Sequence, residues 1–464
     1  MLKTDNKKEL FESMPVPKAL LTMAVPTIIS QLINLIYNMV DTIYIGQTGD
    51  AYKTAAVTLA FTIFLFTISF GNLFGVGGGS YIARLMGKGD TEKAKSACAF
   101  SFYGAVSIAL LYSLIIGLFM NPILLFLGAS ENTLEFGRQY LTWVVVVGNL
   151  PTIVSGAGSH LLRNAGYSRQ AGFGLSLGGV LNIILDPLFM FVLLPDGMEV
   201  TGAALATMLS NFIAFFYITF TIQKLSHVSP LSIKLSDLKR ITKGDIRNIL
   251  SVGLPSAALT GLFDVANVVL NALMAAHGDL QLAAIGIVMK AERLPNAINV
   301  GIGQGMLPIV AYNYTSGNHK RMMKTISTAR LWGFGISAAT ILLYETFASP
   351  ICNLFLNTNA GTDAAAGLQT IAFAISFLRI RCLAAPVQFL NFETSFCMQA
   401  VGYGSGTFIH ACVRELVFYI PFMYLFNRIF GEYGLATAVV IGESCGAIFA
   451  LLLFRHWRKK HAKL

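Results

Sequence analysis

Long apolar runs, each broken by a short polar or charged stretch, recur along the whole chain. A helix needs roughly 20 such residues to cross a hydrocarbon core of about 30 Å. On that criterion the pattern gives twelve segments: 19–46, 55–83, 97–119, 139–162, 171–194, 202–223, 248–275, 282–312, 328–355, 368–399, 407–430 and 434–455. Segments of this length in lipid must pair their own backbone groups, which only a helix does within one segment. The expectation is an all-α polytopic membrane protein. Composition agrees, with 55% hydrophobic and 12% charged residues against about 25% charged in an ordinary soluble domain.

The longest charged interval, roughly 224–247, divides the spans into two sets of six, and the sets resemble each other. Gly75-Val-Gly77-Gly-Gly-Ser-Tyr-Ile-Ala83 matches Gly303-Gln-Gly305-Met-Leu-Pro-Ile-Val-Ala311 at an offset of 228. Pro26 pairs with Pro255 at 229, Pro151 with Pro386 at 235, and Gly166-Tyr167 with Gly402-Tyr403 at 236. An even number of spans per repeat makes the repeats parallel, related by an axis along the membrane normal. The predicted domains are therefore a first six-helix bundle over 1–223, a linker over 224–247 and a second, pseudo-symmetric bundle over 248–464. Two such bundles enclose a cavity, and rocking them gives alternating access.

The net charge of +10 does not point to nucleic acid, because its distribution follows the spans. Lys8, Lys18, Arg84, Lys88, the central-loop Lys239 and Arg240, and the late Arg458 and Lys459 all fall on the side of the termini. The opposite loops hold only Lys53, Arg138 and Arg428. Basic loops stay cytoplasmic, so the chain is expected in the cytoplasmic (inner) membrane as a multi-pass protein with both termini cytoplasmic. Its bulk partner is the lipid bilayer. The six cysteines are scattered without CxxC or Cys/His spacing, which supports neither a disulfide framework nor a metal site.

Charge inside a span costs roughly 2.5–3.5 kcal/mol on insertion scales, so intramembrane carboxylates point to function. Asp41 ends the first span, and Asn34, Tyr37 and Asn38 lie seven, four and three residues before it, on the same helix face. Asn182 and Asp186 stand one turn apart in the fifth span, followed by Pro187, where a kink is expected. Thr207 lies in the sixth. At about 1.5 Å per residue, Asp41, Thr207 and Asp186 lie roughly 8, 9 and 13 Å from the same membrane face. Two carboxylates in a low-dielectric bundle repel each other, which suits loading and release of a proton. With the amide and hydroxyl, the same oxygens suit Na⁺; otherwise they serve as structural hydrogen-bonding groups.

The second half lacks this set: Asp41 maps to Leu270 and Asp186 close to Pro421. Its membrane charges are different, among them Asp264 and the cluster Lys290-Ala-Glu292-Arg293, with Arg379, Arg381, Glu393, Arg414, Glu415 and Glu443 further on. Asp264, Lys290, Glu292 and Arg293 are candidates for the wall of a substrate cavity or a gate. The plainer reading has the cluster paired with Asp264 or Glu393, or lining a wet cavity.

Several of these motifs, in this order, resemble the multidrug and toxic compound extrusion (MATE) family: Pro26 with Asp41-x-x-Tyr-Ile-Gly46, Asn72-Leu-Phe-Gly75 through Ala83-Arg84, Asn182-x-x-x-Asp186-Pro187, and Gly202-Ala-Ala-x-Ala-Thr207. The resemblance covers nearly the full chain. It implies two V-arranged bundles, inward and outward states, and exchange of H⁺ or Na⁺ for amphipathic, often cationic compounds, with no cofactor beyond the coupling ion. It implies an ion-coupling role for Asp41, and for Asn182, Asp186 and Thr207, which would also be the Na⁺ ligands. Some members use an acidic residue in the seventh span, near Asp264. The expected partner is a small amphipathic organic substrate, and the expected working unit is a monomer.

A lipid-linked precursor flippase of the same superfamily is the alternative, with Lys290, Arg293, Arg379 and Arg381 as candidates to meet a pyrophosphate. An enzyme is not expected. The chain has no HExxH pair and no GxxxxGK[ST] loop, and His160, His277 and His410 are isolated in the sequence.

Overall fold

The computed structural model describes residues 4–48, 50–355 and 364–461. Helix is the regular structure throughout these residues: α1 (Thr4–Glu12), α2 (Val16–Gln47), α3 (Ala51–Gly87), α4 (Thr91–Phe126), α5 (Glu131–Leu141), α6 (Asn149–Asn164), α7 (Ser168–Leu188), α8 (Glu199–Leu225), α9 (Leu235–Leu238), α10 (Lys243–Ala275), α11 (Asp279–Thr315), α12 (His319–Phe355), α13 (Ala364–Cys382), α14 (Ala385–Ala400), α15 (Gly404–Cys412) and α16 (Ile420–Lys460). Wider π-helical turns fill Thr142–Val147, Phe189–Leu193 and Val413–Tyr419.

These helices make twelve membrane crossings in two six-helix bundles. Apolarity alone identifies 8 of the helical stretches, and two bent pairs, α5–α6 and α13–α14, bring the total to 10. The remaining crossings escape that test for physical reasons. Lys290, Glu292 and Arg293 interrupt the apolar run of α11. The stretch from α15 through α16 holds two crossings, separated at Gly431, whose φ of 59° and ψ of −141° a side chain would not tolerate.

The helices outrun their apolar windows because capping groups extend them past the hydrocarbon. Asp50 accepts from the amides of Tyr52 and Lys53, Asp90 from that of Lys93, and Thr242 with Asp245 closes a capping box. At Pro187 the expected kink takes another form. The proline stays within α7, and the irregularity follows as the wider turn Phe189–Leu193.

The duplication extends to backbone defects. Phe119, three residues before Pro122, has φ −114° and ψ 22°; Phe347, three before Pro350, has φ −111° and ψ 23°. The bends between α5 and α6 and between α13 and α14 are 49° and 51°.

The linker between the bundles is itself anchored. Leu231 is buried, and the carbonyl of Ile233 accepts from the Tyr103 hydroxyl on α4.

The two lobes meet at the end that carries both termini. There α2 packs on α11, and α3 on α10 and α11. Small residues allow the close approach: a Cβ at Gly305 would lie 2.7 Å from the Ala24 backbone, and one at Gly301 would lie 2.9 Å from the Ile28 Cα. Polar ties frame this seal. The Tyr81 hydroxyl donates to Asp245 at 2.5 Å, and Arg84 donates to the Gln399 carbonyl at 3.2 Å. Helix α1 crosses over to the second lobe. Phe11 stacks on Tyr312 at 4.9 Å, Tyr312 donates to Glu12 at 2.6 Å, and Arg321 donates to the carbonyls of Leu10 and Phe11.

Candidate functional site: a polar cavity between the lobes

In the first lobe, α7 and α8 place three side chains together. Asn182 donates through Nδ2 to Asp186 Oδ1 at 3.1 Å and to Thr207 Oγ1 at 3.2 Å. All three residues are buried, Asp186 completely. Asp41 approaches from α2, close enough to interact electrostatically with Asp186, and Tyr37 and Tyr140 lie within the same field.

The geometry leaves acceptors over. Asp41 Oδ1, Asp186 Oδ2 and Asn182 Oδ1 are buried with no donor. No lysine or arginine pairs with Asp41 or Asp186 among the described residues. A cluster of buried oxygens without a counter-charge is chemically suited to hold a proton or a hard cation.

Asn182 and Thr207 of this constellation line a cavity of about 580 Å³ between the lobes; Asp41 and Asp186 are not among its lining residues. From the first lobe Asn34, Tyr37, Asn38, Asn182 and Thr207 reach its wall; from the second come Asp264, Glu292 and Arg293, with Phe263, Phe392 and Tyr419. Asn38 is held by its own helix, donating to the Asn34 carbonyl at 2.6 Å. Asp264 and Arg293 both line the wall, near enough for their charges to interact.

Lys290 is placed elsewhere. It is exposed and is not among the residues lining the cavity, whereas Met289, Glu292, Arg293 and Asn296 are. Helical periodicity explains this: positions 289, 292, 293 and 296 share one face, and 290 is turned away from it. The pairing expected within the cluster also differs. Glu292 is held by Arg381, through Nε and Nη2 at 2.8 Å each, and Glu393 by Arg330 at 2.8 Å.

The second lobe contains a buried network that the sequence did not single out as a unit. Arg414 donates to both oxygens of Glu443 at 2.9 and 2.6 Å, and Asn391 donates to Glu443 Oε2 at 2.6 Å. His410 bridges Asn391 at 3.0 Å and Ser395 at 2.9 Å. The other two histidines also gain partners: His160 meets Arg163 at 3.2 Å and His277 meets Asn427 at 2.5 Å. Charged residues inside apolar runs were the available signal; the ion pairs Arg414–Glu443, Arg330–Glu393 and Arg381–Glu292 lie 29, 63 and 89 positions apart and have no local signature.

A family model described as MatE matches residues 26–188 and 255–425, once in each half. The chain belongs to the MatE family. The two matches begin at Pro26 and Pro255, the first landmark pair of the internal repeat. Among curated MatE relatives, the multidrug export protein MepA of Staphylococcus saprophyticus is 30% identical over 450 residues, covering 97% of this chain and 96% of MepA. MepA of Staphylococcus aureus strain MRSA252 is 29% identical over 457 residues, with the same coverage. A solved structure described as the outward-facing conformation of a multidrug resistance MATE family transporter superposes with a TM-score of 0.91 at 24% identity, covering 100% of both chains. This MatE protein is thus a multi-pass membrane transporter by family and fold.

Proposed function

We propose that this protein is a secondary active multidrug exporter of the cytoplasmic membrane. It exchanges amphipathic, often cationic organic compounds for H⁺ or Na⁺ by alternating access, working as a monomer with both termini cytoplasmic. The observation that carries the reading is the juxtaposition of a two-lobed cavity with unpaired, buried acidic oxygens in the first lobe. The names of the MepA relatives support the substrate class. The closed terminal end and the likeness to an outward-facing transporter support assigning this conformation to the outward-open state.

In this scheme a proton or Na⁺ enters from outside and neutralises one negative charge of the Asp41–Asp186 pair, with Asn182 and Thr207 completing the oxygen set. Neutralisation removes the electrostatic hold on a bound organic cation, which leaves; the inward step then releases the coupling ion. The driving energy is about 2.3 kcal/mol per net charge moved per 100 mV, plus the concentration gradient of the coupling ion.

The flippase alternative draws little support, because Arg381 and Arg379 are engaged by Glu292 and Glu345 and Lys290 is turned from the cavity. The test is ethidium efflux from proteoliposomes energised separately by a pH and a sodium gradient. Efflux under one gradient that is lost in Asp41→Asn supports the reading; efflux indifferent to both gradients and to the substitution overturns it.

A further inference from the structure

The second lobe holds a carboxylate that the exchange site does not use. Glu415 sits in the π-helical turn Val413–Tyr419, its side chain fully buried, and neither carboxylate oxygen has a hydrogen-bond donor. Its nearest cation is Arg414, with Nε 3.4 Å from Oε1. That guanidinium is already committed to Glu443 through Nε and Nη2. The amide of Asn391 is committed as well, to the Glu443 carboxylate and carbonyl. The buried Glu415 and Glu443 and the partly buried Glu292 therefore share two guanidinium groups, Arg381 and Arg414.

An ionised carboxylate can only accept, and one buried without a protein donor has only the Arg414 charge at 3.4 Å to set against its lost hydration. A proton on Glu415 removes both the excess charge and the deficit of donors. We propose that Glu415 carries a proton in this conformation and forms a second proton-binding site, in the opposite lobe from Asp41 and Asp186. The groups facing it are Arg414 and Tyr419 on its own turn and Glu443 from α16. His410 of α15 acts on Arg414, the Arg381–Glu292 pair of α13 and α11 acts on Tyr419, and α10 presents the uncharged Phe263.

The site has a route to the cavity. Arg414 lies over the rings of Phe263 and Phe392, 5.7 and 5.1 Å from their centroids, and both rings and Glu443 line the cavity wall. An organic cation bound there competes with Arg414 for the rings and for Glu443. Arg414 then turns to Glu415, and the Glu415 proton leaves to cavity water, so one cation enters as one proton departs. This release step rests on the export reading; the protonation of Glu415 does not.

Infrared spectroscopy of the full-length protein in detergent, without ligand, tests the protonation. The absorption of a protonated carboxylic acid at neutral pH is expected to survive in the D41N/D186N double variant and to disappear when E415Q is added. Identical spectra for the double and triple variants from acid to alkaline pH overturn the proposal.

Thermal melting gives an independent reading. Gln matches the shape of the protonated acid, so Glu415→Gln is expected to leave the melting midpoint unchanged, while Glu443→Gln, which strips Arg414 of its ion partner, lowers it. Equal losses in the two variants would mean that Glu415 is ionised. For the release step, tetraphenylphosphonium binding to the wild-type protein should liberate one proton equivalent more than binding to Glu415→Gln. Equal release from the two proteins refutes that step. Failure of tetraphenylphosphonium to bind the wild-type protein refutes the export reading and leaves the infrared result standing.

Discussion

The two lobes share a duplicated scaffold down to the backbone defects at Phe119 and Phe347, yet they handle buried charge in opposite ways. In the first lobe Asp186 accepts from the Asn182 amide, Asp41 Oδ1 has no donor, and no cation among the described residues pairs with either. In the second, Glu292 and Glu443 each take both donors of an arginine fork, and Glu393 takes one from Arg330. Charge left unpaired in a low-dielectric interior is costly and invites a mobile ion, whereas a matched, bidentate pair is stable only while both partners remain. Duplication thus supplied one frame; divergence left Asp41 and Asp186 without arginine partners in one half and paired Glu292, Glu393 and Glu443 with arginines in the other, where Glu415 stands apart.

The sharpest way to break this contrast is to remove one partner from each type of site. Arg414→Ala strands Glu443 in the second lobe and should cost about 3–5 kcal/mol, seen as loss of monodisperse protein or a large fall in melting midpoint. Asp41→Asn should do the reverse, abolishing gradient-driven ethidium efflux while leaving the melting midpoint equal or higher, because it deletes an uncompensated charge. A fall in stability matching that of Arg414→Ala would erase the distinction between the lobes.

Smaller effects sharpen the picture at the seal and the rim. Gly305→Val forces a branched side chain against Ala24 and should cost about 1–3 kcal/mol, as overpacking does. The closed terminal end should bear most of that cost, so thiol reagents should label a cysteine placed at Ser80 faster. At the opposite end the exposed Arg138 pairs with Glu135 at 3.2 Å; Arg138→Met should cost no more than about 1 kcal/mol, measured as a small shift in midpoint. Least of all, Lys290→Met should leave ethidium flux unchanged, since that side chain is turned from the cavity.

The features most legible in the sequence were those with a local physical signature. Apolar runs of bilayer length announced the spans, and Pro26, Pro151 and Gly166 with their counterparts announced the repeat. Asp41 and Asp186 stood out because lipid penalises a carboxylate wherever the chain later folds. What escaped was set by tertiary contact. The ion pairs Arg381–Glu292 and Arg414–Glu443 join residues 89 and 29 positions apart, and a charged residue does not advertise its partner. The orientation of Lys290 was readable in principle from the 289, 292, 293 and 296 face, but only once the cavity side of α11 was known. The break at Gly431, by contrast, falls in the gap the apolar pattern leaves between the spans 407–430 and 434–455.

Helix α1 carries a practical consequence. By covalent order it belongs to the first bundle, but through Phe11, Glu12 and the carbonyls that Arg321 grips it is fastened to the second. The beginning of the chain therefore acts as a clasp whose hold adds to one side of the conformational balance. An affinity tag, a fusion partner or a shortened start at this position would change how long the transporter dwells in each state, and comparative flux measurements should be made on chains with matched leading ends.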